Sequence, residues 1–143
     1  MAGTAVGLFS SMRISGSALT AQRLRMDVIS GNIANADATR VNGQRQPYQR
    51  QQVVFQPLNA ASATGGEGLQ VAQIVRDQAP ARQVFDPAHP DADPATGMVA
   101  YPNVDTTTEM TDMLSATRAY EANVTVLNSL KQMVQRSIDL GKA

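Results

Sequence analysis

The chain has 143 residues, 12 basic and 12 acidic, so its formal charge is zero, and it carries no cysteine. That length suits one domain with at most a subdomain. Balanced charge leaves no basic footprint for nucleic acid (Arg23 and Arg25 are the nearest thing to a cluster), and the lack of cysteine excludes disulfides and thiolate metal sites.

The first element reads as a long helix from about Val6 to Ala34. Ala5, Leu8, Met12, Ser15, Leu19, Gln22, Met26, Ile29 and Ile33 alternate spacings of 3 and 4, and seven of these nine are apolar. That is the seam of a helix made to lie along another helix. Gly16 falls inside it at a cost of about 1 kcal/mol against alanine, tolerable in so long an element. Asn35 is a candidate left-handed stop. No Lys or Arg precedes the apolar patch at Val6 to Phe9, which is the wrong order for a secretory signal, and no apolar run nears the roughly 18 residues of a membrane span. Export, if it occurs, is expected without a cleaved signal peptide.

The middle changes character. All seven prolines lie between Pro47 and Pro102, outside both seams, where each would cost about 3 kcal/mol in a helix interior. Four short strands forming one small sheet are expected: Pro47 to Phe55, with Val53, Val54 and Phe55 as its core; Leu69 to Val75, whose alternation Ile74 breaks, suggesting either a twist or a bulge; Gln83 to Phe85; and Met98 to Tyr101. Ala60 to Gly68 and Asp86 to Gly97 read as loops.

A second helix is expected from Asp105 or Thr106 to about Leu140, with Thr106 and Glu109 as a capping box and Gly141 as its stop. Its seam is Met110, Met113, Thr117, Tyr120, Val124, Leu127, Lys131, Val134 and Ile138. A second stripe lies about 100° around: Ala116, Ala119, Asn123, Val126, Leu130, Met133, Ser137 and Leu140. A helix apolar over so wide an arc needs more than one neighbour. The expected class is therefore α+β, mainly α: a helix over 1–35, a linker and small β domain over 36–104, and a helix over 105–143, the two helices packed as a coiled coil. Both helices are expected to be weakly ordered in the free monomer, gaining order as neighbours cover both stripes.

Little points to chemistry. His89 with Asp86, Asp91 and Asp93 could form a metal loop, but turn-fixing carboxylates in a proline-stiffened segment explain the same residues better, and the calcium-loop pattern is not met. His89 is the only histidine, and no serine nucleophile sits in a recognisable motif. The loop Gly65-Gly66-Glu67-Gly68 matches no phosphate-binding pattern and reads as a linker. No enzyme activity and no cofactor are expected. The seam methionines read as adaptable packing.

The most distinctive stretch is Asn32-Ile33-Ala34-Asn35-Ala36-Asp37-Ala38-Thr39, followed by Pro47-Tyr48-Gln49-Arg50. It resembles the turn and strand shared by the rod, hook and axial proteins of the bacterial flagellum. Gln52-Val53-Val54-Phe55, the Asp86 to Asp93 loop, Val99 to Asp105, Glu109-Met110-Thr111-Asp112-Met113 and Arg118 to Val124 extend the likeness over nearly the whole chain. The short middle is similar to proximal rod members.

The resemblance implies a structural subunit of the proximal rod of the basal body, part of a helical assembly that carries torque across the periplasm to the hook. It implies partners among copies of itself, other rod proteins, the export-gate adaptor and the flagellar type III export apparatus, with no nucleic acid and no membrane span of its own. It also makes Asn32, Asn35, Thr39, Tyr48 and Arg50 the signature residues. The helix seams and the second stripe then make the expected assembly interface Leu8, Met12, Leu19, Met26, Ile29, Ile33, Met110, Met113, Tyr120, Val124, Val126, Leu127, Leu130, Met133, Val134 and Ile138. Another type III-exported axial protein, a generic coiled-coil adaptor and a small metal-dependent enzyme using His89, Asp91 and Asp93 are the other readings.

Overall fold

A computed structural model of the chain describes residues 2–58 and 68–141, with side chains from residue 7 onward. The expected loop over 60–67, Glu67 included, lies outside the described residues, as do the Ala5 and Val6 side chains. Six elements follow in order: α1 (Ala2–Ala34), β1 (Gln51–Leu58), β2 (Gly68–Arg76), β3 (Arg82–Phe85), β4 (Met98–Tyr101) and α2 (Thr106–Leu140).

The fold is α+β, dominated by helices of 33 and 35 residues. Neither contains proline, so each backbone ladder runs unbroken. They pack antiparallel. Stepping back along α1 from Asn32 to Met26 advances along α2 from Glu109 to Thr117, whose hydroxyl lies 3.6 Å from the Met26 sulfur.

The start of α2 differs from the expected capping box. Asp105, in extended backbone, is the N-cap; its carboxylate accepts from the Thr107 amide at 3.1 Å and the Thr108 hydroxyl at 2.5 Å. Those bonds hold the Asp105 carboxyl below its usual range, the Thr108 hydroxyl most of all. Glu109 does not reach back to close a box, because its side chain is bonded elsewhere.

The end of α1 also differs from expectation. Asn35 is not left-handed; its amide and its side-chain Nδ2 both donate to the Gly31 carbonyl, at 3.1 and 2.8 Å. Left-handed backbone comes later, at Asn42 (φ 54°) and Gly43 (φ 78°), between the bridged residues Val41 and Gln44. Positive φ at both central residues is what a tight two-residue reversal requires, and Asn-Gly supplies it.

The β region is two antiparallel two-stranded sheets, β1–β2 and β3–β4, instead of one. In β1 alternation puts Val53 and Phe55 inward and leaves Val54 on the outer face, so only two of the three expected core residues face in. Val54 opposes Gln73 and Phe55 opposes Val71, so Ala72 is the extra residue of a bulge in β2. The hairpin lies along α1: the Leu69 amide donates to the Ser17 hydroxyl at 3.0 Å, and the Gln51 amide to Asn32 Oδ1 at 2.9 Å. A Cβ on Gly68 would stand 2.8 Å from the Ser17 oxygen, so glycine permits that approach.

The second hairpin packs neither on the helices nor on the first hairpin among the described residues. Val99 is its fully buried residue, and the Arg82 guanidinium sits 5.5 Å over the Tyr101 ring.

Candidate functional site

The densest polar cluster lies where α1 ends, β1 begins and α2 starts. At its centre are Asn32 and Glu109, each 1% exposed. Asn32 uses its full bonding capacity. Nδ2 donates to the Gln51 carbonyl at 2.8 Å and to Glu109 Oε2 at 2.9 Å; Oδ1 accepts from the Gln51 amide at 2.9 Å and the Tyr48 hydroxyl at 3.1 Å.

Arg50 answers the buried carboxylate. Its Nε and a terminal nitrogen both reach Glu109 Oε1 at 2.6 Å. The same guanidinium faces Asp77 at 3.9 Å and Asp112 at 3.8 Å, and Arg25 holds Asp112 from α1 at 3.3 Å. Glu109 also lies in the first turn of α2, where the helix dipole favours an anion. Burial, then the nearby Glu109 charge, push the Tyr48 hydroxyl above its ordinary pKa, so it stays a neutral donor toward Asn32.

The remaining signature residues sit beside this junction. Asn35 bonds back onto α1, and the Thr39 hydroxyl donates to Asp91 Oδ2 at 2.7 Å. Arg40 pairs with the other oxygen of Asp91. The Thr39 bond leads in drawing the Asp91 carboxyl below its usual range, with Arg40 adding to it.

In the Asp86 to Asp93 loop the other two carboxylates serve the backbone: Asp86 accepts from the Ala88 amide at 3.2 Å and Asp93 from the Ala95 amide at 3.0 Å. His89 Nδ1 accepts from the Asp91 amide at 3.1 Å, and its ring meets Tyr101 edge-on. Among the described residues no three such side chains converge on a point a metal could occupy.

Curated relatives match this chain over nearly its whole length. It is 45% identical to the flagellar basal-body rod protein FlgC of Bacillus subtilis, over 94% of this chain and 98% of the relative. Likeness to the FlgC proteins of Escherichia coli O6:H1 and Salmonella typhimurium is 44% and 42%, each over 96% of this chain and all of the relative. The chain belongs to the FlgC family of flagellar basal-body rod proteins. Two family descriptions agree in place: residues 12–40 match "Flagella basal body rod protein", and residues 95–140 match "Flagellar basal body rod FlgEFG protein C-terminal". The first match carries Asn32, Asn35 and Thr39; the second carries Glu109. The halves of the junction thus come from the two matched segments, bridged by Tyr48 and Arg50.

The expected seam residues divide. On α1, Ile29 is buried and Leu8, Met12, Leu19, Met26 and Ile33 are half-buried. On α2, Leu130 is buried and Met113, Tyr120, Val124, Leu127 and Val134 are half-buried. Met110, Val126, Met133 and Ile138 lie outside the intramolecular seam, at 57%, 46%, 47% and 52% exposed. The covered ridge runs between the two stripes: Glu109, Met113, Ala116, Tyr120, Asn123, Leu127, Leu130 and Val134. α1 settles in the groove between the stripes and leaves one flank of each open. Ala21 and Ala116, at 2% and 0% exposed, are among the most covered residues of the two helices.

Sequence reasoning missed Arg25, Asp77 and Asp112, and it assigned Glu109 to a cap. Isolated charges near helix ends carry no spacing signal, so only the folded chain shows them meeting.

Proposed function

We propose that this chain is a structural subunit of the flagellar basal-body rod, built into its proximal part, where it helps carry motor torque across the periplasm. Whole-length identity of 42–45% to FlgC proteins supports the reading most directly. The exposed apolar flanks of α2 supply its physical side. Val126, Met133, Ile138 and Leu140 stand open on a helix already packed along its other face. Copies of this chain and other rod proteins cover them, extending the helix pair into a coiled-coil inner layer with the hairpins outside it.

Torque then passes through lateral helix contacts, and no residue is asked to do chemistry. Delivery through the flagellar type III apparatus and docking to the export-gate adaptor complete the proposed route. Basal bodies purified from cells carrying a tagged copy should contain the chain, and its deletion should abolish rods and motility. Motile deletion cells with intact rods would overturn the proposal.

A further inference from the structure

We propose that Glu109 is a positioning residue that couples docking of α2 to the fixing of the β1–β2 hairpin. The polar junction has two halves of different origin. The Asn32 bonds to Tyr48 and Gln51 span fewer than 20 residues and need only the end of α1 and the chain entering β1. The Glu109 bonds reach back 77 residues to Asn32 and 59 to Arg50. They close only when the first turn of α2 lies against α1.

Three observations make this second half more than filler. Among the described residues Glu109 is the largest fully buried side chain and it carries a charge, so its place is costly without partners. Arg50 is the cation that reaches Glu109, and it stands on the strand entry to β1. The Arg50 carbonyl also accepts from the Asp77 amide at 2.7 Å, just past the end of β2, so the arginine that grips α2 ties both strands together. Until α2 docks, Arg50 faces Asp77 alone, and the hairpin is oriented by its packing on α1, its Asn32 bonds and the Ser17 contact, none of which involves the charge on Arg50. Once α2 docks, two guanidinium nitrogens close on Glu109 Oε1 while Asn32 holds Oε2, and together they set one angle between hairpin and helix pair. For its meaning in assembly this rests on the rod reading: the outer part becomes rigid when the inner helices close.

The test uses the full-length chain in an osmolyte that favours the folded state, with hydrogen exchange read by amide. In Glu109→Ala, exchange at Gln51 and Asp77 should speed up at least tenfold, while Thr117 to Leu127 stays within threefold of the parent. Glu109→Gln, which keeps the shape and loses the charge, should fall between. The double variant R50M/E109M fills the site with apolar volume. It should melt within a few degrees of the parent, yet keep fast hairpin exchange and fail to restore swimming in soft agar. Hairpin exchange within twofold of the parent in E109A, equal acceleration in hairpin and helices, or full motility of R50M/E109M would each overturn the coupling. If the exchange pattern holds but the chain is absent from basal bodies, the coupling stands and the rod reading falls.

Discussion

Asn32 shows how much one side chain can specify. All four bonding positions of its amide are used, two as donor and two as acceptor, so the group has a single workable orientation. Asn32→Asp keeps the shape, removes both donors and sets a second carboxylate against Glu109. Its expected cost is about 3–5 kcal/mol in urea unfolding with a folding osmolyte present, the scale for breaking a buried charged network. A loss below about 1 kcal/mol would mean that the junction is not strongly coupled.

Asp91 gives a pH dependence of known sign. Its folded pKa lies below the ordinary 3.8, so the unfolded chain takes up the proton first as pH falls. The stabilisation is complete above the unfolded value and is lost as pH drops through the folded one. Unfolding curves between pH 6 and pH 3 should therefore show a decline that is shallower in Asp91→Asn. Equal slopes would remove Asp91 from the account, leaving Asp105 as the lowered carboxyl.

At the scale of elements, the sequence was most legible where a repeat is long. Both helices follow from their 3–4 spacing, and their observed ends differ from expectation by a few residues, at most four at the start of α1. Of the twist or bulge that Ile74 signalled, the bulge is found, at Ala72, two residues away. What periodicity could not show is which part of a wide apolar arc faces inward, because two stripes 100° apart are equally good alone. The groove of α1 decides that, and it decides for the ridge between them. The Asn42-Gly43 reversal carried a readable signal that the reading of this stretch passed over, whereas the Glu109–Arg50 pairing depends on segments far apart in sequence.

The open flank of α2 leads to a separation of effects. Met133→Glu with Ile138→Glu changes residues about half exposed, so chain stability should move by less than about 0.5 kcal/mol. Recovery of rods and swimming should nevertheless be lost, with the amount of the chain made by the cell unaffected. Normal rods from this variant would show that the flank stays in water.

For the whole molecule, the helix pair is long and thin: 33 and 35 residues side by side, with one hairpin against α1. Few residues are fully buried, and the buried apolar set includes Ala21, Ile29, Ala36, Val99, Ala116 and Leu130. Such a pair draws much of its order from what surrounds it. Circular dichroism of dilute chain should show less helix than the two elements hold, rising on addition of rod partners. A full helical signal with a sharp, concentration-independent melt would oppose this.

Among the described residues, the second hairpin's hydrogen-bonded tie to the rest of the protein is Asp91, held by Thr39 and Arg40. The first hairpin, by contrast, is gripped at both its Ser17 and Asn32 ends. Asp91→Asn is therefore expected to quicken amide exchange in the second hairpin while the first keeps its protection, and equal protection in both would place the hold on the second hairpin in its buried Val99 and Pro102.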